Sequence, residues 1–451
     1  MALPPSDDRE PNSPSDDRLL ATNDPWRWAL PAILVMSVVV RLVYSLGIAR
    51  GLLHIQPELQ STDLYHDIAR TLLDGNGYRY SADKPLTASR PPGYPLFLLA
   101  IFSVAGVNYV WVQVAQALLG AVGCWLLFLL GRWVHSSKLG LAAAGLYAIY
   151  PNSIEYSARL YSENVFFPVF LAFAYLLCRA SYKGSVRHGV AAGAAWGASL
   201  LTRGTLLALP LALPIGIALS RTHRSPASRW VRWVVPSLLA ASLVVAPWAA
   251  RNYALTGAFV PVSTWGWPPI YFGTQVAKGM TRWVDSLSED AAATQHLEDL
   301  FAGQSQNGDT DSSPTFIEVR FDRFAKTQTL AEWGSDPVGV AERAAMGLCY
   351  TWFYTFGSKL RLFSLAVHLP LFVLFVLGVV GMARRYRESF VRAWPALGLI
   401  LYVNVFQAVA YPHVRYMTPA IVLSFLFSGL PLIELGQRMF RWGQPSVSSR
   451  R

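Results

Sequence analysis

The chain has 451 residues, 53% of them hydrophobic and only 14% charged, with a formal net charge of +11. A mean hydropathy of +0.32 excludes an ordinary water-soluble domain and points to an integral membrane protein. The positive balance does not signal nucleic acid, because the basic residues sit in short loops between apolar runs, where charge asymmetry sets orientation instead.

Residues 1–24 are rich in Ser, Pro and Asp with no basic region ahead of the first apolar run, so they read as a disordered cytoplasmic tail and not as a cleavable signal. Apolar runs then recur at 28–46, 107–130, 139–149, 165–177, 190–201, 206–219, 231–250, 362–382, 393–410 and 417–435. They suggest about ten spans, several shorter than the ~20 residues that cross a bilayer unaided. The expected fold class is therefore an all-α polytopic membrane protein with a large first outer loop and a small outer cap segment. Cys124, Cys178 and Cys349 show no paired spacing and support neither a zinc site nor a disulfide framework.

Basic residues cluster at Arg132 and Lys138, at Arg179, Lys183 and Arg187, at Arg221 to Arg232, and at Arg384 to Arg392, which marks those loops as cytoplasmic. Residues 25–250 then form a transmembrane module whose first outer loop is 48–106. Residues 251–360 form an outer cap with an acidic stretch from Asp285 to Asp311 and a later piece, PVGVAERAAMGLCYTWFYTF, that suits a helix at the interface. Transmembrane helices occupy 361–436, and 437–451 is a cytoplasmic tail. No inverted internal repeat of the transporter kind is visible.

Carboxylates at the mouth of a lipid-embedded bundle are costly unless solvated or paired, so the polar segment from Thr62 to Pro95 is the first candidate site. Leu64, Ile68 and Leu72 with Tyr65, Ala69 and Leu73 predict a short amphipathic helix, stopped by Gly75, Asn76 and Gly77. Asp63 at its start is either an N-cap or a working carboxylate. His66 and Asp67 are weaker candidates on a solvated face. In SRPPGYP the prolines stiffen the chain and Gly93 permits close approach; 92–105 is either a re-entrant or surface helix or part of a span. In YPNSIEYSARLYSENVFF, Glu155 and Arg159 have the spacing of an ion-paired helix face, while Glu163 directly precedes an apolar run and should point into the bundle mouth. Outer basic residues are few: Arg41, Lys84, Arg90, Arg203, Arg251 and Arg415. Each alone could snorkel to headgroups; together they suggest an anion site.

TDLYHDIARTLLDGNGY with RPPGYP, then YPNSIEYSARLYSENVFF, LTRG, PWAARNYALTGAFVPVSTWG and HVRYMTP, in that order, resemble the GT-C membrane glycosyltransferases. The branch in question includes the aminoarabinose transferase of lipid A, rhizobial core-sugar transferases and protein O-mannosyltransferases, and the likeness covers about 28–436. The resemblance implies a multi-pass enzyme of the inner membrane that takes a sugar from a polyprenyl-phosphate carrier and passes it to a lipid, glycan or protein on the periplasmic or outer side. It implies Asp63 as base or acceptor-binding carboxylate, Glu163 as the acidic turn, and Arg251 and Arg415 near the carrier phosphate, with Arg203, Arg90 and Lys84 as further cations. Tyr65, Asp67, Tyr94 and Tyr271 are candidate substrate contacts, and Trp265, Trp267 and Tyr271 either stack on a sugar face or anchor at the membrane interface. Some relatives bind a divalent metal, for which Asp63, His66 and Asp67 are the candidates here. A flippase for lipid-linked saccharides and an O-antigen-type polymerase or ligase are the alternatives.

Overall fold

The computed structural model describes residues 25–54, 64–219, 227–280, 298–299, 301–302, 314–355 and 358–442, and among the described residues there is no strand. Every apolar run lies wholly or mostly on a helix. Among the described residues, seven helices are long and apolar enough to cross a membrane: α1 (Ala29–Gly51), α4 (Tyr109–Val134), α7 (Glu163–Lys183), α10 (Ala227–Thr256), α14 (Ser358–Arg385), α15 (Arg387–Ala410) and α16 (Val414–Trp442). The runs at 139–149, 190–201 and 206–219 fall on shorter helices, α5 (Ser137–Ala148), α8 (Val186–Thr202) and α9 (Leu209–Leu219). By length and composition the described residues thus support seven spans, and the count of about ten is not confirmed.

Glycines let these helices pack closely. A Cβ on Gly131 of α4 would lie 2.6 Å from Gly140 Cα of α5, so only hydrogen atoms fit at that crossing. On α8, Gly189, Gly193 and Gly197 recur every fourth residue and face α10, where Cβ atoms would come within 2.5 Å of Trp233 O, 2.1 Å of Ser237 O and 2.7 Å of Val244 Cβ. Small residues at such spacing drive association in lipid, where burial of apolar surface does not. The Ser237 hydroxyl donates to Gly189 O at 2.9 Å across the same contact. Helix α16 sits at the centre of the bundle, with 78% of its apolar window buried against 22% for α14. Its first turn carries Arg415.

Outside the long helices, α2 (Tyr65–Leu73) closes as the glycines predict. Gly75 adopts φ +76°, its N–H donates to Leu72 O at 3.2 Å and that of Asn76 to Thr71 O at 2.8 Å, the bond pattern of a Schellman stop. The capping position at its start falls on Leu64, in the left-handed region at φ +56°, and not on Asp63, which lies outside the described residues. Helix α3 (Gly93–Ala105) is separate and only 13 residues long, about 20 Å and too short to span. Gly93 does permit a close approach: a Cβ there would meet Leu201 O at 2.8 Å at the end of α8. A short helix α6 (Pro151–Ser157) precedes α7. Residues 251–360 supply α11 (Pro268–Met280), α12 (Pro314–Ser335) and α13 (Pro337–Phe353). The piece expected to lie at the interface is α13, seated on α15 at Gly347, where a Cβ would be 2.5 Å from Ala408 O.

Candidate active site

Helix α7 begins with Glu163, whose carboxylate is 1% exposed and paired with two guanidinium groups. Oε1 accepts from Arg203 Nη1 at 2.7 Å and from Arg415 Nε at 2.6 Å, and Oε2 lies 3.4 Å from Arg415 Nη2. Three distant stretches meet here: the start of α7, the end of α8 and the start of α16. Two guanidinium groups share this one buried carboxylate, which offsets the cost of its burial and leaves one positive charge in excess beside it; removing the carboxylate would strand both. Aromatic faces complete the setting, with Arg415 Cζ 3.9 Å from the Tyr161 ring centre and Arg203 Cζ 5.5 Å from that of Tyr416.

The turn that delivers Glu163 is held by amides projecting from apolar helices. Gln113 Nε2 donates to Ala158 O at 3.0 Å, and Gln116 Nε2 to Ser157 O at 2.9 Å and Arg159 O at 3.1 Å. Asn164 Nδ2 donates to Tyr156 O at 2.8 Å and to Tyr161 O at 3.0 Å. These carbonyls lie at a break between helices; those of Tyr156 and Tyr161 also accept the backbone N–H groups of Arg159 at 3.1 Å and Asn164 at 3.2 Å, and the buried amides add the side-chain bonds that pin the turn. Sequence reading missed all three residues; glutamines inside an apolar run were the available signal. Glu155 and Arg159, by contrast, form the simple i,i+4 pair that their spacing predicts, at 2.8 Å.

Arg203 and Arg415, 16% and 20% exposed, face a cavity of about 460 Å³. Arg90 also lines it, as do Tyr65, Trp265, Trp267, Tyr411 and Tyr416. Arg90 Cζ stacks 5.2 Å from the Trp265 ring centre. His413 lies beside Arg415 and its Nδ1 accepts the Arg415 backbone N–H at 3.0 Å. Burial, and secondarily the Arg415 charge, push the His413 pKa down from 6.5 to about 3, so it is neutral at ordinary pH.

Several sequence candidates fall elsewhere. Arg251 does not line the cavity: it donates to Thr87 O at 2.6 Å and stacks between Trp248 and Tyr78, where it braces the segment between α2 and α3. The Tyr78 hydroxyl in turn holds Arg90 O and Pro91 O, each at 3.0 Å, and burial raises its pKa well above 10. Lys84 is not among the lining residues either, and its carbonyl accepts from Arg79 at 3.1 Å. Tyr94 is fully buried behind Tyr65, with its hydroxyl donating to Gln116 Oε1 at 2.7 Å. Tyr271 is 2% exposed in an aromatic cluster beside the cavity. Arg41 is 1% exposed and spends its donors on Ser37, Tyr147 O, Ala148 O and Ser153, which gives it a packing role. His66 and Asp67 lie 3.1 Å apart, but among the described residues no three His, Cys, Asp or Glu side chains are placed to hold a metal.

Residues 89–250 match the family model described as dolichyl-phosphate-mannose-protein mannosyltransferase. No curated protein matches the chain. Among solved structures, the archaeal oligosaccharyltransferase AglB from Archaeoglobus fulgidus, in complex with an inhibitory peptide and a dolichol-phosphate, aligns at a TM-score of 0.53 and 14% identity over 94% of this chain. This chain spans about half, 52%, of that protein's length. ArnT from Cupriavidus metallidurans bound to undecaprenyl phosphate aligns at a TM-score of 0.43 and 17% identity over 92% of this chain and 81% of the other. In sequence over residues 89–250 and in fold over nearly its whole length, the chain is similar to the GT-C membrane glycosyltransferases.

Proposed function

We propose that this chain is an inverting glycosyltransferase that moves a sugar from a polyprenyl-phosphate carrier to a lipid, glycan or protein acceptor at the outer face of the cytoplasmic membrane. The observation that carries the reading is the pairing of two unlike spaces. The cavity holding Arg90, Arg203 and Arg415 shares Leu207 with an apolar groove of about 520 Å³ lined by residues such as Leu200, Leu238, Val245 and Tyr253. A cationic pocket beside an apolar groove fits a ligand with a phosphate head and a hydrocarbon tail. The AglB structure carries such a molecule, a dolichol-phosphate.

The charge arithmetic favours catalysis over simple capture. A sugar-phosphate diester bears one negative charge, whereas the departing monoester approaches −1.5 to −2 at neutral pH. Negative charge therefore grows on the phosphate as its bond to the anomeric carbon breaks, and arginines fixed beforehand stabilise the transition state more than the bound donor. The acceptor oxygen attacks from the opposite face, its proton passes to a carboxylate, and configuration inverts in one displacement. Asp63 takes the proton in this scheme. Glu163 positions Arg203 and Arg415 and does not serve as base, because its oxygens are sealed beneath them. A general base contributes roughly 10²- to 10⁴-fold, so Asp63→Asn should nearly abolish carrier release while leaving the protein folded. Full turnover in that variant would remove Asp63 from the mechanism. The reading as a whole is tested with purified protein and a panel of polyprenyl-phosphate sugars, following release of polyprenyl phosphate.

A further inference from the structure

Two carboxylates one helical turn apart on α12 grip both loops that form the outer wall of the cavity. Glu318 accepts from the Thr87 hydroxyl at 2.5 Å, the Ala88 N–H at 3.0 Å and the Thr264 hydroxyl at 3.2 Å. Asp322 Oδ1 accepts the N–H groups of Gly266 at 2.9 Å and Trp267 at 2.7 Å. Its pKa is raised by burial, with these two amides acting against the rise. The loops are themselves joined by a bond from Thr264 N–H to Ala88 O at 3.0 Å. The residues that follow in each loop, Ser89 and Arg90 in one and Trp265 and Trp267 in the other, line the cavity.

We infer that Glu318 and Asp322 are positioning residues, through which the outer cap sets the Arg90–Trp265 wall for the ligand of the cavity. The geometry supports this beyond ordinary packing. Five donors from two loops converge on one face of one helix, and the same loops place a cation and two indoles in the cavity lining, with the indoles also packed against Phe321 and Lys326 of that helix. Irregular segments of this kind have no internal bond ladder, so an external acceptor decides their shape. The ligand's identity rests on the proposed function; the clasp itself does not.

The test uses the full chain in nanodiscs, with two readouts. Hydrogen exchange at the Ala88, Gly266 and Trp267 amides reports the clasp directly. Hydrogen bonds to charged groups are worth about 1.5–3 kcal/mol, so Glu318→Ala and Asp322→Ala should speed exchange of the amides each carboxylate holds roughly 10- to 100-fold, with α16 unchanged. Glu318→Gln keeps an acceptor oxygen and should restore most of the protection. Undecaprenyl phosphate binding reports the consequence: Glu318→Ala should weaken it several-fold, and should cost less in the Arg90→Ala background than alone, because part of its effect runs through that side chain. Unchanged exchange overturns the inference. So does faster exchange with wild-type binding, or with a Glu318→Ala loss that is as large in the Arg90→Ala background as alone. If the unaltered chain fails to bind undecaprenyl phosphate, the proposed function fails, and the exchange arm alone then decides whether the carboxylates hold the wall.

Discussion

Replacing Glu163 by Gln separates two roles that a site carboxylate can have. The carboxylate is 1% exposed and its Oε1 is within 2.7 Å of one guanidinium and 2.6 Å of the other. An amide of the same shape keeps one acceptor oxygen but removes the only charge paired with both arginines in this contact. It leaves two like charges close together in a poorly solvated place. Breaking a buried pair by altering one partner costs about 3–5 kcal/mol. With no carboxylate to fix them, Arg203 and Arg415 should also turn away from the cavity, so that undecaprenyl phosphate affinity falls at least about tenfold, equivalent to 1.4 kcal/mol. The assay pairs thermal unfolding with carrier-phosphate binding in nanodiscs, for Glu163→Gln alone and combined with Arg203→Met. Removing the stranded Arg203 charge should recover part of the lost stability without recovering binding. Wild-type stability and affinity in Glu163→Gln, with turnover alone lost, would refute the positioning role and return Glu163 to direct chemistry.

Other consequences are independent of this pair. Arg415→Lys should lower undecaprenyl phosphate affinity at least about tenfold, since an ammonium cannot both meet Glu163 through Nε and lie flat against Tyr161 at 3.9 Å; an unchanged titration curve would contradict it. Gly193→Val should reduce the yield of monodisperse protein or its unfolding temperature, because the new Cβ would stand 2.1 Å from Ser237 O, whereas Gly216→Ala, with nothing within 4 Å, should be tolerated. His413 supplies a pH test. Its folded pKa is depressed to about 3 from 6.5, so the neutral form is favoured in the folded state. Its stabilising contribution is complete above about pH 6.5 and fades as pH falls towards 3, by at most about 1.4 kcal/mol per pH unit. The difference in unfolding temperature between the unaltered chain and His413→Asn should therefore change sign or shrink on acidification through that window; parallel curves would exclude His413.

Much of this arrangement was legible in the amino-acid order, and the failures have physical causes. Apolar runs located the helices because lipid demands them, but their lengths did not give the span count, because 139–149 and 206–219 fall mostly on helices of only 12 and 11 residues. The glycines at 75 and 77 announced the end of α2, and Gly93 its close contact, since both follow from local backbone geometry. Arg203, Arg415 and Glu163 were each legible as charges beside apolar runs, yet nothing local distinguished them from Arg251 and Arg41. Those two are consumed by Thr87 O and by the Tyr147 and Ala148 carbonyls, partners 164 and more than 100 residues away. Glu318 and Asp322 were invisible for a related reason: α12 carries charges all round, so no pattern singles out the two that reach the loops. Gly189, Gly193 and Gly197 were readable from spacing alone and were overlooked.

The most direct measurement follows carrier release from a radiolabelled polyprenyl-phosphate sugar by purified protein given membrane extract as acceptor, for the unaltered chain and for Arg203→Ala and Arg415→Ala. The account predicts release of polyprenyl phosphate with the label transferred in inverted configuration, and loss of both in the two folded variants. Release that persists in both variants, or a folded unaltered chain that releases nothing from any donor in the panel, would contradict it.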